Sequence, residues 1–205
     1  MFKTITKKTQ EEELLVGCKK HDEQSREGVY QQWSPFMKGV CVRYVSDMAV
    51  AEDLMHEGFV KVFLGLHKVE WRGPGSFKGW VVRVMVNCCI DYLKQQKKLL
   101  EVPVDMASMV AVSEDDFDDE GSFSFEAAKN SGINCNDLLE ILSTLPESIG
   151  VVFNMYAVEG MWHKIIAEIL GIAEEASRAR LKRARMQLRE KLAIRLKQIE
   201  KVAQS

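Results

Sequence analysis

The sequence predicts an all-α protein with two helical domains joined by a flexible acidic linker. Apolar residues recur at helical spacing in two blocks, on either side of residues 101–137. That middle segment carries a net charge of −9, whereas residues 1–100 carry +4 and residues 138–205 carry +3. Like charges repel and the segment has little apolar surface to bury, so it is not expected to fold. The predicted parts are a helical bundle (1–99), the linker (100–136) and a four-helix domain with a helix-turn-helix (137–205).

Composition excludes several classes of protein. No apolar run approaches the roughly 20 residues that a membrane span needs, so we expect no membrane insertion. The first residues, MFKTITKKTQEEELLVGC, lack the apolar core and cleavage site of a signal peptide. Five cysteines, an odd count that includes an adjacent pair, suit reduced thiols. A cytoplasmic location is therefore predicted.

No catalytic or metal site is predicted. Cys18 and His21 have the spacing of two metal ligands, but no second pair follows at finger spacing. The chain lacks paired carboxylates in a cleft pattern, a phosphate-binding glycine loop and a nucleophile–base signature, with Ser177 among arginines the one faintly suggestive hydroxyl. We predict a protein that is not an enzyme and that needs no cofactor.

The N-terminal block begins with an apolar helical stripe from Val29 to Tyr44, in which Pro35 marks either a new helix start or a kink. A break at Ser46-Asp47 precedes a second helix, from residue 51 to 66. Its apolar face is continuous. Its opposite face is polar, which by itself fits an ordinary wet surface, and consists of Glu52, Asp53, His56, Glu57 and Lys61.

A loop with Gly-Pro-Gly (residues 70–76) leads into a helix that is apolar on two sides. Its one polar line has a spacing of four and contains Arg83, Asn87, Asp91 and Lys94. Two interpretations remain open at this point. The line forms an internal network of the Arg83–Asp91 kind, or it is an exposed groove for a phosphate backbone beside aromatic side chains that stack unpaired bases.

Three phenylalanines interleave with the acids of the linker: Phe117, Phe123 and Phe125. They belong to a solubilising tether, or they dock transiently on one of the basic blocks and compete with nucleic acid.

The C-terminal block ends in two helices that meet at Gly171. The second helix, within residues 171–193, carries seven cations against three glutamates. Ala167 stands four residues before the glycine, the spacing at which the two helices of a helix-turn-helix touch. A basic helix alone fits a solvated face as well. The predicted inward face of this long helix consists of Leu181, Ala184, Leu188, Leu192 and Leu196.

Three motifs in this order resemble a sigma factor of the extracytoplasmic-function group of the sigma-70 family, across roughly residues 10–98 and 137–193. Residues 51–63 (AEDLMHEGFVKVF) resemble the polymerase-binding helix of that family. Residues 75–98 (GSFKGWVVRVMVNCCIDYLKQQKK) resemble its promoter-melting and minus-ten segment. Residues 144–192, from TLPESIG to LREKL, resemble its minus-thirty-five domain.

The resemblance implies three sets of site residues. The core polymerase would be bound by Asp53, His56, Glu57 and Val60. The minus-ten element would be bound by Trp71, Phe77, Lys78, Trp80, Arg83, Asn87, Lys94, Lys97 and Lys98. Within this set, the loop from Trp71 to Phe77 would capture a flipped base. The minus-thirty-five element would be bound by Ser177, Arg178, Ala179, Arg180, Lys182 and Arg183.

The resemblance also implies the partners: core RNA polymerase, promoter DNA as duplex and melted strand, and an anti-sigma factor, which in this family is often membrane-tethered. The chain departs from the family pattern at Ser148-Ile149-Gly150, at Ile165 and at Glu175-Ala176-Ser177. The last departure replaces a helix-start threonine and puts a hydroxyl at a usually apolar position. The competing hypothesis is a stand-alone helix-turn-helix regulator, which would bind duplex DNA tightly without polymerase.

Overall fold

The structure is a computed structural model that describes residues 9–45, 47–96 and 140–203, with the backbone alone for residues 198–203. The described chain is helical and contains no strand. It separates into two compact units, divided between Leu93 and Lys94. The predicted linker, its three phenylalanines and the predicted DNA contacts Lys97 and Lys98 lie outside the described residues.

The described residues of the first unit form four α-helices and one short 3₁₀ turn. They are α1 (Gln10–Lys19), α2 (Glu23–Val42), α3 (Met48–Gly65), the 3₁₀ turn (Leu66–Lys68) and α4 (Ser76–Gln95). Side-chain oxygens cap three of the helix starts, because Thr9, Asp22 and Asp47 accept hydrogen bonds from backbone N–H groups of the first turn. The cap at Asp47 explains the break that the sequence predicts there.

Pro35 lies inside α2, which runs without interruption from Glu23 to Val42. It therefore does not start a new helix, which was one of the two alternatives that the sequence left open. The residues around it keep helical spacing, and the buried side chains of α2 are Val29, Trp33, Met37, Val40 and Cys41.

The core of the first unit is made by the apolar faces of α2, α3 and α4. Both apolar sides predicted for α4 contribute to this core, Phe77 and Val81 from one side and Val86 and Cys89 from the other, whereas Trp80 on the first side is only half-buried. Cys18, Cys41 and Cys88 are buried free thiols as well. Burial raises the pKa of the Cys18 thiol to about 11, so this thiol stays protonated at neutral pH.

After residue 96, the described part of the second unit resumes with helical residues 140–143 and continues with α5 (Glu147–Phe153), which passes into a π-helical turn (Asn154–Val158). It ends with α6 (His163–Leu170) and the long helix α7 (Glu174–Ala203). The predicted inward face of α7 is confirmed for Leu181, Ala184, Leu188 and Leu192, which are buried. Leu196 is half-buried.

None of the described helices is long and apolar enough to cross a lipid bilayer. Within the same residues there is no group of three or more histidine, cysteine or acidic side chains that could hold a metal ion.

Candidate functional site

The four residues predicted to bind a polymerase share one face of α3. Asp53, His56, Glu57 and Val60 are all exposed, and their spacing of three and four places them in one stripe. Val60 is 58% exposed and Leu64, one turn further along, is 73% exposed. These two exposed aliphatic side chains, one turn apart, form a small apolar strip along the charged face of the helix. We call residues 53, 56, 57, 60 and 64 the α3 surface.

Charged neighbours frame the α3 surface. Glu57 pairs with Lys61 at 2.7 Å, and this bond raises the pKa of the lysine. Lys38 of α2 donates to Glu52 at 2.6 Å and lowers the pKa of that carboxyl. Both pairs are substantially exposed, so each contributes little to stability. Each pair limits the directions in which its two charged side chains can point, while the α3 surface stays exposed to solvent.

Tyr30 supports the α3 surface from α2, a contact that the sequence pattern did not reveal. Its ring stacks on His56 with centroids 6.0 Å apart and planes 17° apart, and a 3.2 Å hydrogen bond joins Tyr30 Oη and His56 Nδ1. The ring also packs against Phe59 at 4.9 Å. The apolar stripe of α2 includes Tyr30, but periodicity cannot show that it lies at the edge of the core, beside His56.

The loop between α3 and α4 is built by glycine and serine. Gly73 and Gly75 have φ angles of 117° and 82°, a backbone region that residues with a Cβ atom rarely adopt. Ser76 Oγ accepts from the N–H of Arg72 at 3.2 Å and donates to the carbonyl of Gly73 at 2.6 Å. Trp71 is half-buried in this loop. The loop therefore has a defined internal hydrogen-bond pattern.

Phe77 is not available to a base. Its side chain is 0% exposed and meets Trp33 edge-on with centroids 5.1 Å apart. We correct the sequence prediction accordingly: Phe77 is a core residue that anchors the first turn of α4. The exposed aromatic at this place is Phe36 of α2, which is 46% exposed and lies 4.1 Å from the ammonium of Lys78. In the sequence, Phe36 is only one member of the apolar stripe of α2, and this position did not indicate that its ring is exposed.

The polar line of α4 faces solvent. Arg83, Asn87 and Asp91 are exposed, and Lys94 is half-buried in the last turn. Among the ion pairs of the described residues, none joins Arg83 and Asp91. The line is therefore exposed, as the second of the two interpretations requires, and its contact with a phosphate backbone stays a prediction. Trp80, on the neighbouring side of the helix, is half-buried.

The predicted helix-turn-helix is present in the second unit. Gly171 ends α6 in the left-handed conformation, with φ 70° and ψ 37°. The N–H of Gly171 donates to the carbonyl of Ala167 at 2.8 Å, and the N–H of Ile172 donates to the same carbonyl at 3.1 Å. Ala167 is 9% exposed, so a small side chain lies at the inner side of the turn. The glycine is needed because a Cβ is strained at this φ.

The outer face of α7 carries the cations predicted to contact DNA. Lys182 is exposed, whereas Arg178, Ala179, Arg180 and Arg183 are half-buried. Burial, with the neighbouring charge of Arg183 as a second cause, lowers the pKa of Arg180. Half-burial lays the arginine stems along the domain surface and limits the directions in which their guanidinium groups can point.

Ser177 points inward and is not part of that outer face. It is 0% exposed, and a hydrogen bond of 2.9 Å joins its Oγ to His163 Nδ1. His163 is itself buried and stacks on Tyr156 at 4.6 Å. We therefore remove Ser177 from the predicted DNA contacts. The hydroxyl that departs from the usual apolar residue has a buried partner, 14 residues earlier in the chain.

Arg178 pairs with a glutamate of its own helix. Its Nη2 donates to Oε1 of Glu174 one turn earlier, and both side chains are 36% exposed. The pair lies at the first turn of α7, where the partial positive charge of the helix end favours an acid. A phosphate or base edge at this position would therefore meet a guanidinium that already has a carboxylate partner.

Two family matches cover these surfaces in chain order. Residues 29–99 match Sigma-70 region 2, and residues 135–188 match Sigma-70, region 4. The chain belongs to the sigma-70 family. Its relatives place it in the extracytoplasmic-function group, as the sequence motifs predicted. The sigma factor predicted from the sequence is thereby confirmed, and no finding supports the stand-alone regulator.

Three curated relatives show the extent of the likeness. The ECF RNA polymerase sigma factor SigM of Bacillus subtilis is 23% identical over 78% of this sigma factor and 91% of its own length. SigE of Mycolicibacterium smegmatis is 29% identical over 70% of this chain and 52% of its own. The probable sigma factor RfaY of Xanthomonas campestris is 27% identical over 75% of this chain. This chain spans only 36% of the length of RfaY.

A solved structure shares the fold. The structure of CnrH in complex with the cytosolic domain of CnrY aligns with a TM-score of 0.52 and 16% identity, over 88% of this sigma factor and 96% of CnrH. The predicted all-α, two-domain architecture is confirmed by this likeness and by the helical structure of the described residues.

Proposed function

We propose that this sigma factor binds core RNA polymerase and directs it to promoters, where it recognises and opens the DNA. The observation that carries the proposal is the order of surfaces along the chain. An exposed, partly apolar helix face comes first, an exposed polar line with Phe36 and Lys78 nearby second, and a helix-turn-helix with a basic outer face last. Each surface matches one binding event, and none requires bond chemistry by the chain itself.

The α3 surface is the proposed polymerase contact. Val60 and Leu64 supply apolar area that is costly to leave in water, at about 25 cal/mol per Å². Asp53 and Glu57 add negative charge, which selects a basic partner surface and speeds encounter. From the neighbouring helix α2, Tyr30 holds the imidazole of His56, and Lys38 holds the carboxylate of Glu52 next to this surface.

The exposed polar line of α4 is the proposed contact with the melted minus-ten strand. Arg83 and Asn87 face solvent where a phosphate backbone could follow the helix, and Lys78 with Phe36 forms a cationic and aromatic platform beside the loop. Stacking of an unpaired base on an aromatic ring contributes about 1–3 kcal/mol. A few such contacts offset the unpairing of a few base steps, so opening follows from binding.

The outer face of α7 is the proposed contact with the minus-thirty-five duplex. Arg178 and Arg183 are the candidates for bidentate contact with guanine, and Lys182 and Arg180 are placed for phosphates. Glu174 reduces the net charge of this face and holds Arg178. We therefore propose that the upstream contact is the weaker of the two DNA contacts.

We further propose regulation by an anti-sigma factor that covers the α3 surface in a cytoplasmic complex. CnrH, which shares the fold, was solved with the cytosolic domain of CnrY. An exposed aliphatic pair, Val60 and Leu64, is available to such a partner as it is to polymerase.

Copurification with core polymerase tests the proposal. The full chain should form a stable complex with core enzyme, and Asp53→Arg should abolish the complex while leaving the thermal unfolding midpoint unchanged. Glu23→Arg is the matched control, since Glu23 is an exposed acid of α2 that is not one of the α3 surface residues. Tight binding of promoter duplex by the free chain, with no affinity for core enzyme, would instead establish the stand-alone regulator.

A further inference from the structure

Helix α1 lies outside the matched region, which begins at residue 29. Its two ends nevertheless contact the two ends of the loop between α3 and α4, 50 and more residues away along the chain. We propose that α1 is a brace that holds this loop in its base-binding conformation, with Glu11 and Lys19 as the positioning residues. The proposal rests on the proposed function of the loop in capturing an unpaired base.

Glu11 caps the start of α4 from a distance of more than 60 residues in sequence. Its Oε2 accepts from the backbone N–H of Gly75 at 2.6 Å, and its Oε1 accepts from that of Lys78 at 2.8 Å. These N–H groups belong to the first turn, which has no carbonyl acceptors within the helix. A carboxylate that accepts from two of them forms charge-assisted bonds and opposes the partial positive charge of the helix end.

Lys19 fixes the other end of the loop. Its Nζ donates to the carbonyl oxygen of Val69, the residue that follows the 3₁₀ turn and is itself buried. Glu11 and Lys19 lie at opposite ends of α1, and Leu15 and Cys18 between them are buried. Because a helix of this length is stiff, the two contacts set the separation of the loop ends.

The brace acts on the groups that are proposed to meet the base. The loop contains Gly73 and Gly75 at positive φ, and glycine has the largest conformational freedom of any residue. Lys78, whose N–H bonds to Glu11, also places its ammonium 4.1 Å from the Phe36 ring. Holding this segment before DNA arrives removes part of the ordering cost from the binding step.

Hydrogen exchange of the full chain tests the brace without DNA. In Glu11→Ala the amides of Gly75 and Lys78 should exchange roughly 10-fold faster or more, because each loses a charge-assisted bond. Amides in the middle of α3 should be unchanged. Glu13→Ala is the matched control, since it removes the same charge from the same helix at an exposed position. Equal exchange rates in the two variants would overturn the proposal.

Single-strand binding by the holoenzyme tests the functional consequence. The probe is the non-template strand of a promoter found by run-off transcription, with 2-aminopurine at the candidate flipped base. We expect Glu11→Ala to bind it roughly 5- to 10-fold more weakly than Glu13→Ala, with Glu11→Gln intermediate because its amide keeps one carbonyl acceptor. Affinity for core enzyme should not change.

The outcomes separate the two proposals. If the wild-type holoenzyme does not bind the probe better than core enzyme does, the proposed function of the loop fails. If the wild type binds it and Glu11→Ala binds equally well, the loop captures the strand without the brace. If Glu11→Ala loses affinity for core enzyme in the same proportion, α1 is a general stabilising element and the positioning role is wrong.

Discussion

Glu174 and Arg178 form an ion pair across one turn at the start of helix α7. The acid holds the arginine that we propose as a contact with the upstream promoter element. Since the two side chains are each about one-third exposed, the pair is partly screened by water. We expect Glu174→Gln to bind upstream duplex DNA more tightly, by about two- to five-fold, because the guanidinium is released and a negative charge is removed.

The control for this prediction is Glu190→Gln, which removes one negative charge at an exposed position four turns further along α7. Affinity is measured by fluorescence anisotropy of the holoenzyme on labelled duplex at two salt concentrations. An equal gain in the two variants would mean that net charge, and not the partner of Arg178, determines the affinity.

The buried pair of His163 and Ser177 predicts a stability effect that is separate from DNA binding. Ser177→Ala should lower the free energy of unfolding of the second unit by about 1–3 kcal/mol, because a buried imidazole nitrogen loses its partner. Ser143→Ala, at an exposed hydroxyl, should change it by less than about 0.5 kcal/mol. Chemical denaturation measures both. A Ser177→Ala variant that keeps full stability but loses promoter binding would place the hydroxyl on DNA after all.

His163 also predicts how stability depends on pH. Burial, with the positive charge of Arg178 as a second cause, lowers the pKa of His163 below its usual 6.5, while Glu174 opposes the shift. The unfolded chain therefore binds the proton more readily. Stability of the second unit should fall as pH drops from 6.5 toward the lower pKa of the folded state.

Denaturant titrations between pH 7.5 and pH 5 check this sign. The double variant His163→Phe with Ser177→Ala should show a flatter dependence, since it has no titrating group at this site. The pKa values of the Asp22 and Glu52 carboxyls are lowered from 3.8 and 4.5, so these groups take up protons only at a pH below the range of this titration. A second unit that becomes more stable on acidification would contradict the assignment.

Phe36 is expected to stack on an unpaired base. Phe36→Ala should weaken binding of the melted minus-ten strand by the holoenzyme by about 1–3 kcal/mol, and Phe36→Trp should retain it. The measurement is the affinity for single-stranded DNA, with affinity for core enzyme as the internal control. Loss of both affinities together would show that Phe36 supports the fold of α2 instead.

Local patterns in the sequence predicted most of the fold. The glycine turn at Gly171 and the inward face of α7 follow from spacing and from the φ that glycine tolerates. The apolar and polar faces of α3 follow from helical periodicity. These features depend on residues within a few turns of one another, which is the range over which periodicity carries information.

The departures from prediction arise where the partner is distant in the chain. α4 is apolar on two sides, so spacing alone could not show that Phe77 is buried against Trp33 while Phe36 stays exposed. The partner of Ser177 lies on the preceding helix. The bonds from Glu11 to Gly75 and Lys78 span more than 60 residues and leave no periodic signal.

Run-off transcription by reconstituted holoenzyme on fragments of the source genome tests the central claim most directly. Core enzyme with the wild-type chain should produce discrete transcripts that core enzyme alone does not, and Asp53→Arg should produce none. Discrete transcripts that persist with Asp53→Arg would contradict the assignment of the α3 surface. A wild-type chain that leaves the transcription of core enzyme unchanged would contradict the function itself.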